Sequence, residues 1–182
     1  MTTTAVSIMN KGQRKLFEDI ERTAWLSSCG RYRHALGRHW DQGLGYALFI
    51  GLNPSTADGQ SDDPTIRRCM RFARDWGFGG LEMCNLFDWR ATDPKRLPRK
   101  QIAVSDKNDP AMGCRAMKAG IVIACWGHVP WARKRIDEVQ TERFAAFQRE
   151  TGNRVHCLGL TKSGFPRHPL FVRADTKPVL FW

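Results

Sequence analysis

The chain has 182 residues, a mass of 20.8 kDa and a formal net charge of +11, with 42% hydrophobic and 26% charged residues. This mixture is typical of a globular protein and excludes a disordered polyelectrolyte. The longest apolar runs, residues 47–50 and 121–126, are far shorter than the ~20 residues of a membrane helix, and the N-terminus lacks the pattern of a signal peptide.

The first third of the chain predicts one helix and two strands. Apolar side chains recur at helical spacing over residues 11–26, which predicts an N-terminal helix that extends the domain. Residues 31–40 alternate loosely between polar and apolar types and predict an exposed strand or hairpin arm. Residues 46–52 form a continuous apolar run, which is typical of a strand buried on both faces.

The next segment carries helix signals at both ends. Asp63 is a residue type that caps helices, Pro64 suits the first helical position, and Gly77 suits a helix end. Three further buried strands and two further helices follow: strands at residues 81–87, 120–126 and 154–160, and helices at residues 106–119 and 131–149. This alternation predicts a single α/β domain over residues 1–182, a three-layer sandwich around a central, mostly parallel sheet.

The cysteines are too widely spaced to form a metal site. No C-x-x-C motif occurs, and no histidines have the spacing of metal ligands. We therefore expect no metal and no cofactor. We expect the six cysteines to be reduced, structural thiols in a cytoplasmic protein without a membrane partner: Cys29, Cys69, Cys84, Cys114, Cys125 and Cys157.

Polar residues cluster directly after four of the predicted strands, in residues 53–58, 88–90, 127–128 and 162–168. Ligands of parallel α/β sheets bind beyond the carboxyl ends of the strands. The sequence therefore predicts one site that is assembled from four loops.

Three residues in or near these loops are candidates for chemistry. Asn53 leaves a buried strand before a proline, where its amide either meets a ligand or bonds its own loop. Asn85 interrupts an apolar strand, and its adjacent donor and acceptor suit a nucleobase edge or a neighbouring loop. His168 lies between prolines that restrict the backbone and fix the imidazole, although a lone histidine is more often structural.

Basic residues form clusters that are interleaved with aromatic residues. The sequence predicts a surface that tracks phosphates, with nucleic acid as the partner and DNA favoured over RNA. The residues we expect to contact nucleic acid are Arg67, Arg68, Lys162 and Arg167. The alternative is a basic surface that is merely solvated.

Several motifs together resemble a bacterial and phage family catalogued only as a domain of unknown function. The motifs are NPSTAD at 53–58, DDPTIRR at 62–68, NLF at 85–87, RATDP at 90–94, WG at 126–127 and RHPL at 167–170. This likeness covers about residues 30–172. The order of the motifs is also distantly similar to the uracil-DNA glycosylase superfamily, which implies the fold of that superfamily.

The more distant resemblance implies roles for particular residues. Asn53 would position the attacking water, with Asp58 as a second candidate, and His168 would stabilise charge on the departing base. Asn85 would face the base edge. The other residues we expect to bind the base are Ser55, Phe87, Trp89 and Arg90, and Leu170 or Phe171 would lie near the loop that probes a duplex.

These features predict a nucleobase-processing protein that hydrolyses an N-glycosidic bond in DNA or in a nucleotide. Two alternatives belong to other classes. One is a non-catalytic module that binds nucleic acid and reads a base, and the other is an enzyme of free nucleosides or nucleotides.

Overall fold

The computed structural model describes residues 20–98 and 100–182. Its strands are β1 (Glu21–Leu26), β2 (Arg33–His39), β3 (Tyr46–Gly51), β4 (Gly80–Asn85), β5 (Ile121–Ala124), β6 (Val155–Cys157) and β7 (Val179–Leu180). Its α-helices are α1 (Pro64–Asp75), α2 (Lys100–Ala103), α3 (Asn108–Ala116), α4 (Arg133–Glu138) and α5 (Ala145–Thr151), with a π-helical segment (Val139–Phe144) between the last two. Short 3₁₀ turns span Gln42–Leu44, Pro94–Arg96, Pro130–Ala132 and Pro169–Phe171.

The described strands form one seven-stranded sheet in the order β1-β2-β4-β3-β5-β6-β7. The four strands β4, β3, β5 and β6 are parallel neighbours and match the four buried strands that the sequence predicts. The flanking strands β1, β2 and β7 all pair antiparallel. The chain therefore has a mixed α/β fold whose parallel part is central.

Two predictions for the N-terminal part are wrong. Residues 21–26 form a strand rather than the end of a helix, and residues 11–19 of that predicted helix lie outside the described residues. The apolar side chains of Ile20, Ala24 and Leu26 also fit a period of two, and pairing with β2 decides between the two patterns. The strand β2 is almost wholly buried rather than exposed, because it lies between β1 and β4.

The core consists of two clusters that alternate along the strands. On β3, Leu48 belongs to the cluster that contains residues of α3, α4 and α5, whereas Phe49 belongs to the cluster that contains residues of α1. The beginning of α1 matches its sequence signals, since Asp63 Oδ1 accepts from the Ile66 N–H at 2.9 Å and Pro64 is the first helical residue. This cap fixes Asp63 at the edge of the sheet where the site lies.

The six cysteines are free, as the sequence predicts. Four are buried, whereas Cys29 and Cys114 are exposed and so are not core residues. Over residues 20–98 and 100–182, no helix combines the length and apolarity that crossing a membrane requires.

Replacing Gly79 with alanine is expected to lower the free energy of unfolding by about 2–3 kcal/mol, because overpacking forces the backbone to shift. A Cβ at Gly79 would lie 1.6 Å from the Asp41 carbonyl oxygen, and the Gly79 carbonyl accepts from the Trp40 and Asp41 N–H groups. Urea unfolding measures the change.

The matched control is Gly113→Ala within α3, where a Cβ would meet nothing within 4 Å. That change should raise the free energy of unfolding by about 0.5–1 kcal/mol, since glycine destabilises a helix interior. Equal effects of the two substitutions would contradict the argument.

Candidate functional site

A pocket of about 380 Å³ lies at the carboxyl ends of β3, β4 and β5. Four of the residues that the sequence singles out line it together: Asn53, Ser55, Asn85 and His168. The walls of the pocket are formed by the loops after β3 and β5, by the last residue of β4 and by the loop before Pro169. Three of the four predicted loops, residues 53–58, 127–128 and 162–168, therefore supply lining residues, whereas none of residues 88–90 lines the pocket.

Asn85 is buried at the floor of this pocket with an unused donor. It is the last residue of β4 and pairs with Gly51 of β3, where a Cβ would lie 2.9 Å from Asn85 Oδ1. Asn85 is 3% exposed, and within the described part of the chain its Nδ2 has no hydrogen-bond partner. An unsatisfied buried donor costs about 1–3 kcal/mol, so the site retains an amide that the fold does not pair.

The side chain of Asn53 is fixed by the two hydrogen bonds that its amide nitrogen donates. Nδ2 donates to the carbonyl oxygens of Ala91 at 2.7 Å and Pro54 at 3.1 Å. Both hydrogens are therefore used to brace two loops against each other, and among the described residues Oδ1 accepts no hydrogen bond. This side chain can offer only an acceptor to a ligand or a water.

His168 lines the pocket as a neutral imidazole. Its Nδ1 accepts from the Leu170 N–H at 3.4 Å, which places the ring proton on Nε2. Burial lowers the pKa of His168, and the nearby Asp63 carboxylate only partly offsets this. The Gly127 N–H donates to the Pro166 carbonyl at 3.0 Å, which ties the loop after β5 to the loop that carries His168.

The structure does not bring Asp58 to the pocket. Its Oδ1 accepts from the N–H groups of Gln60 and Ser61 and from the Ser61 hydroxyl, and these bonds lower the pKa of Asp58 to about 2. The carboxylate that lines the pocket belongs to Asp63 instead. In the sequence Asp63 is recognisable only as a helix cap, which is why sequence reasoning missed it.

The predicted base-binding aromatic residues also lie elsewhere. Phe87 stacks on Trp131 with ring centroids 5.7 Å apart, and Trp89 meets the edge of Tyr32 at 5.2 Å. Neither lines the pocket, and nor does Arg90, whose Nη1 donates to the Gly30 carbonyl. The aromatic side chains that line the pocket are Trp126, His128, His168 and Phe171. Of these, the sequence predicts a role only for His168 and Phe171, whereas Trp126 and His128 enter only as parts of a motif and of a polar cluster.

A second concavity, the α1 groove, runs along the exposed side of α1. It is lined by Arg22, Arg67, Arg68, Arg71 and Arg74, together with Asp62, Asp75 and Leu170 among others. Leu170 lines the groove and the next residue, Phe171, lines the pocket, so the two share a rim. Lys162 and Arg167 are exposed in the loop before His168 and line neither.

The arginines of the groove differ in how far their guanidinium groups are engaged by other groups of the protein. Arg68 Nη2 donates to the Val172 carbonyl at 2.6 Å, and its guanidinium lies over the Phe72 ring. Arg67 is exposed and donates to the Asp62 carbonyl, while Arg71 is exposed with no hydrogen bond in the described part of the chain. Arg67 and Arg71 are therefore the groove residues that can turn toward a ligand.

No group of three histidine, cysteine, aspartate or glutamate side chains able to hold a metal ion occurs in residues 20–98 and 100–182. His34 is buried, and its Nδ1 lies 2.7 Å from Asp88 Oδ2. Asp88 also accepts from the Ser105 N–H at 2.9 Å. These three residues form a buried polar cluster that does not line the pocket.

Comparison with family models matches residues 33–170 to a family described as protein of unknown function (DUF1643). The matched segment contains Asn53, Asn85 and His168. No curated protein and no solved structure gives a significant match. The resemblance of the motifs to a domain of unknown function is confirmed, and the chain belongs to the DUF1643 family.

Proposed function

We propose that the chain binds a nucleobase of a nucleic acid in this pocket and hydrolyses its N-glycosidic bond. We also propose that its helices and sheet form the three-layer sandwich of the uracil-DNA glycosylase superfamily. The observation that carries the proposal is that Asn53, Asn85 and His168, from three separate segments, line one pocket of about 380 Å³. A pocket of this size accepts a single flipped base.

Asn85 is the residue that would read the base. A base whose edge presents an acceptor to Nδ2 would pair the buried donor and remove its desolvation cost. A base without that acceptor would leave the donor unpaired and would therefore bind less tightly. Phe171 supplies an aromatic surface on which the base would lie. Trp126 also lines the pocket, but it is 2% exposed and its ring stacks on Phe144. The exposed position of Phe171, at 78%, also places an apolar ring beside the entrance.

His168 and Asn53 would act on the bond and on the water. The bond between C1′ and the base nitrogen breaks with its electron pair going to the base, whose negative charge accepts a hydrogen bond from His168 Nε2–H. The water oxygen bonds to C1′ while Asn53 Oδ1 orients it. The proton of that water passes to the Asp63 carboxylate, which lines the same pocket.

The α1 groove supports the proposal of a nucleic-acid partner. The groove carries five arginines and two aspartates among its lining residues and shares a rim with the pocket. A base in the pocket would leave the phosphates of its strand at that rim, and we propose DNA as the strand. The free thiols are consistent with a cytoplasmic location, where thiols stay reduced.

Binding to duplex DNA is expected to weaken with salt, with a log–log slope of about −0.9 for each phosphate contacted. The double variant Arg67→Ala, Arg71→Ala should weaken binding to all sequences alike and reduce this slope by about 2. Fluorescence anisotropy at several salt concentrations measures both quantities. Lys118→Ala is the control, since this exposed residue does not line the groove. A slope that the double variant leaves unchanged would contradict the assignment of the groove.

The experiment that tests the proposed function is a screen for base release by the wild-type protein. Duplexes and single strands carrying uracil, hypoxanthine or modified pyrimidines are incubated with the protein, and the free base is measured by mass spectrometry. Release of at least one base supports the proposal. Tight binding of one substrate without any release would show that the protein is a reader rather than a hydrolase.

One observation favours that second candidate function, a non-catalytic base reader. The amide hydrogens of Asn53 are both engaged by backbone carbonyls, and the Asp58 carboxylate is engaged by its own loop. Fewer groups are therefore left to hold a water than the sequence predicts. Recognition by Asn85 does not depend on them.

A further inference from the structure

Arg33 reaches the pocket with a buried, almost unpaired charge. It is the first residue of β2, which runs antiparallel to β4 and so begins at the edge where β4 ends. The residue is 2% exposed and lines the pocket. Its Nη1 donates to the Ala57 carbonyl at 2.6 Å, and Nε has no partner in residues 20–98 and 100–182. Among the described residues, no carboxylate forms an ion pair with it.

The charges around Arg33 do not neutralise it. Burial lowers the pKa of Arg33 to about 10, and the nearby Asp63 carboxylate, which raises the pKa, does not offset burial together with Arg90 and Arg38. Arg38 is already paired with Asp62, and Asp63 caps α1. Arg33 therefore stays protonated at neutral pH and places a fixed positive charge at the pocket.

A structural role does not account for this charge. A guanidinium has five N–H donors, and a single hydrogen bond to a carbonyl oxygen uses one of them. A buried charge with a single hydrogen bond is costly, and a ligand that supplies further acceptors would reduce that cost. Arginine is also the side chain whose geometry matches a pair of oxygen acceptors.

We propose that Arg33 is the anion-binding residue of the pocket, and that the ligand places a negatively charged pair of oxygen atoms against its guanidinium. This rests on the proposed function only in that it concerns the same pocket. Two sources have this chemistry: the carboxylate of an acidic base, and the terminal phosphate of a nucleotide. A neutral base that carries only an amino group there would be rejected, because it offers a donor to a donor.

The first test measures anion binding through thermal unfolding of the full chain. Three probes are used: inorganic phosphate, uracil-5-carboxylate and neutral uracil. We expect one of the two anions to raise the melting temperature of the wild type, and Arg33→Met to weaken its apparent affinity at least about tenfold, the loss of one charge-assisted bidentate contact. If phosphate is the anion that raises the melting temperature, the ligand group is a nucleotide phosphate. If uracil-5-carboxylate raises it instead, the ligand group is the carboxylate of an acidic base. Binding to the α1 groove is the same in both proteins and cancels in the comparison.

The second test measures stability without ligand. Arg33→Met should raise the urea midpoint, since it removes an unpaired buried charge. The control is Arg135→Met, which should lower the midpoint, because Arg135 is 4% exposed but pairs with Asp109 and donates to the Leu86 carbonyl. If Arg33→Met does not fold, Arg33→Lys keeps the charge and should retain part of the response to the anion.

Two results would overturn the inference. One is an equal response of the wild type and Arg33→Met to each anion, and the other is a fall in the urea midpoint of Arg33→Met as large as that of Arg135→Met. Failure of the proposed function is a separate result. An anion response without base release leaves the role of Arg33 intact, and base release without an anion response overturns only that role.

Discussion

His168→Ala is expected to lower base release by about 10²–10³-fold, the effect of removing one donor that stabilises a developing negative charge. The Nε2–H donor is fixed in place because Nδ1 accepts from the Leu170 N–H and the neighbouring prolines restrict the backbone. The charge on the base arises only as the bond breaks. Affinity for the intact substrate should therefore change by less than about twofold.

Single-turnover kinetics measures base release, and anisotropy measures affinity for the same oligonucleotide. His156→Ala is the matched control, since His156 lies on β6 and does not line the pocket. Asn85→Ala should behave differently and reduce discrimination between bases, because the unread edge no longer contributes. Parallel losses of affinity and release in His168→Ala would assign that residue to binding and contradict its role in bond cleavage.

Asp62→Ala is expected to lower the free energy of unfolding by about 3–5 kcal/mol, because it leaves a buried guanidinium without its charge partner. Asp62 Oδ1 accepts from Arg38 Nε at 2.7 Å, and Oδ2 accepts from Arg22 Nη1 at 2.7 Å. Arg38 is 0% exposed and also donates to the carbonyls of Asp58 and Ser61. The pair therefore holds the loop that leads into Asp63 and the pocket.

Urea unfolding at several pH values measures this contribution. Burial raises the pKa of Asp62, but the hydrogen bonds from Arg22 and Arg38 outweigh burial and hold it below its usual value. The stabilisation is therefore complete above the unfolded pKa of about 3.9 and is lost as the pH falls through the folded pKa. In Asp62→Ala this part of the pH dependence should be absent.

The control is Asp175→Ala, which removes the partner of Arg173 from an ion pair that is exposed on both sides. Solvent screens such a pair, so no measurable change in unfolding is expected. Equal effects of Asp62→Ala and Asp175→Ala would contradict the role given to burial.

The central strands and the helix α1 were predictable from the sequence because their signals are local. The apolar run of β3, and Asp63 with Pro64 at the start of α1, identify their elements without reference to other segments. The strand β1 was not predictable in this way. Its apolar residues fit either period, and only pairing with β2 makes the strand form.

The site was predictable in part for the same reason. Asn53, Asn85 and His168 follow or end elements whose order places them at one edge, and the pocket brings them together. Nothing in the sequence around Arg33 predicts a site residue. Arg33 is buried because its strand, β2, pairs antiparallel with β4, and this long-range pairing cannot be predicted from the local sequence. Phe87 does not line the pocket, although the sequence predicts that it contacts the base. The backbone turns after β4, and the Phe87 ring therefore packs on Trp131 instead of facing the pocket.

The two outermost strands of the sheet, β1 and β7, both lie outside the segment shared with the family, residues 33–170. A chain trimmed to that segment would leave the hydrogen-bonding edges of β2 and β6 open, since these strands pair with β1 and β7 in the full chain. Open edges of this kind template pairing between molecules. The shared segment alone is expected to self-associate through its sheet, because the range matched by the family does not include the two strands that cover these edges.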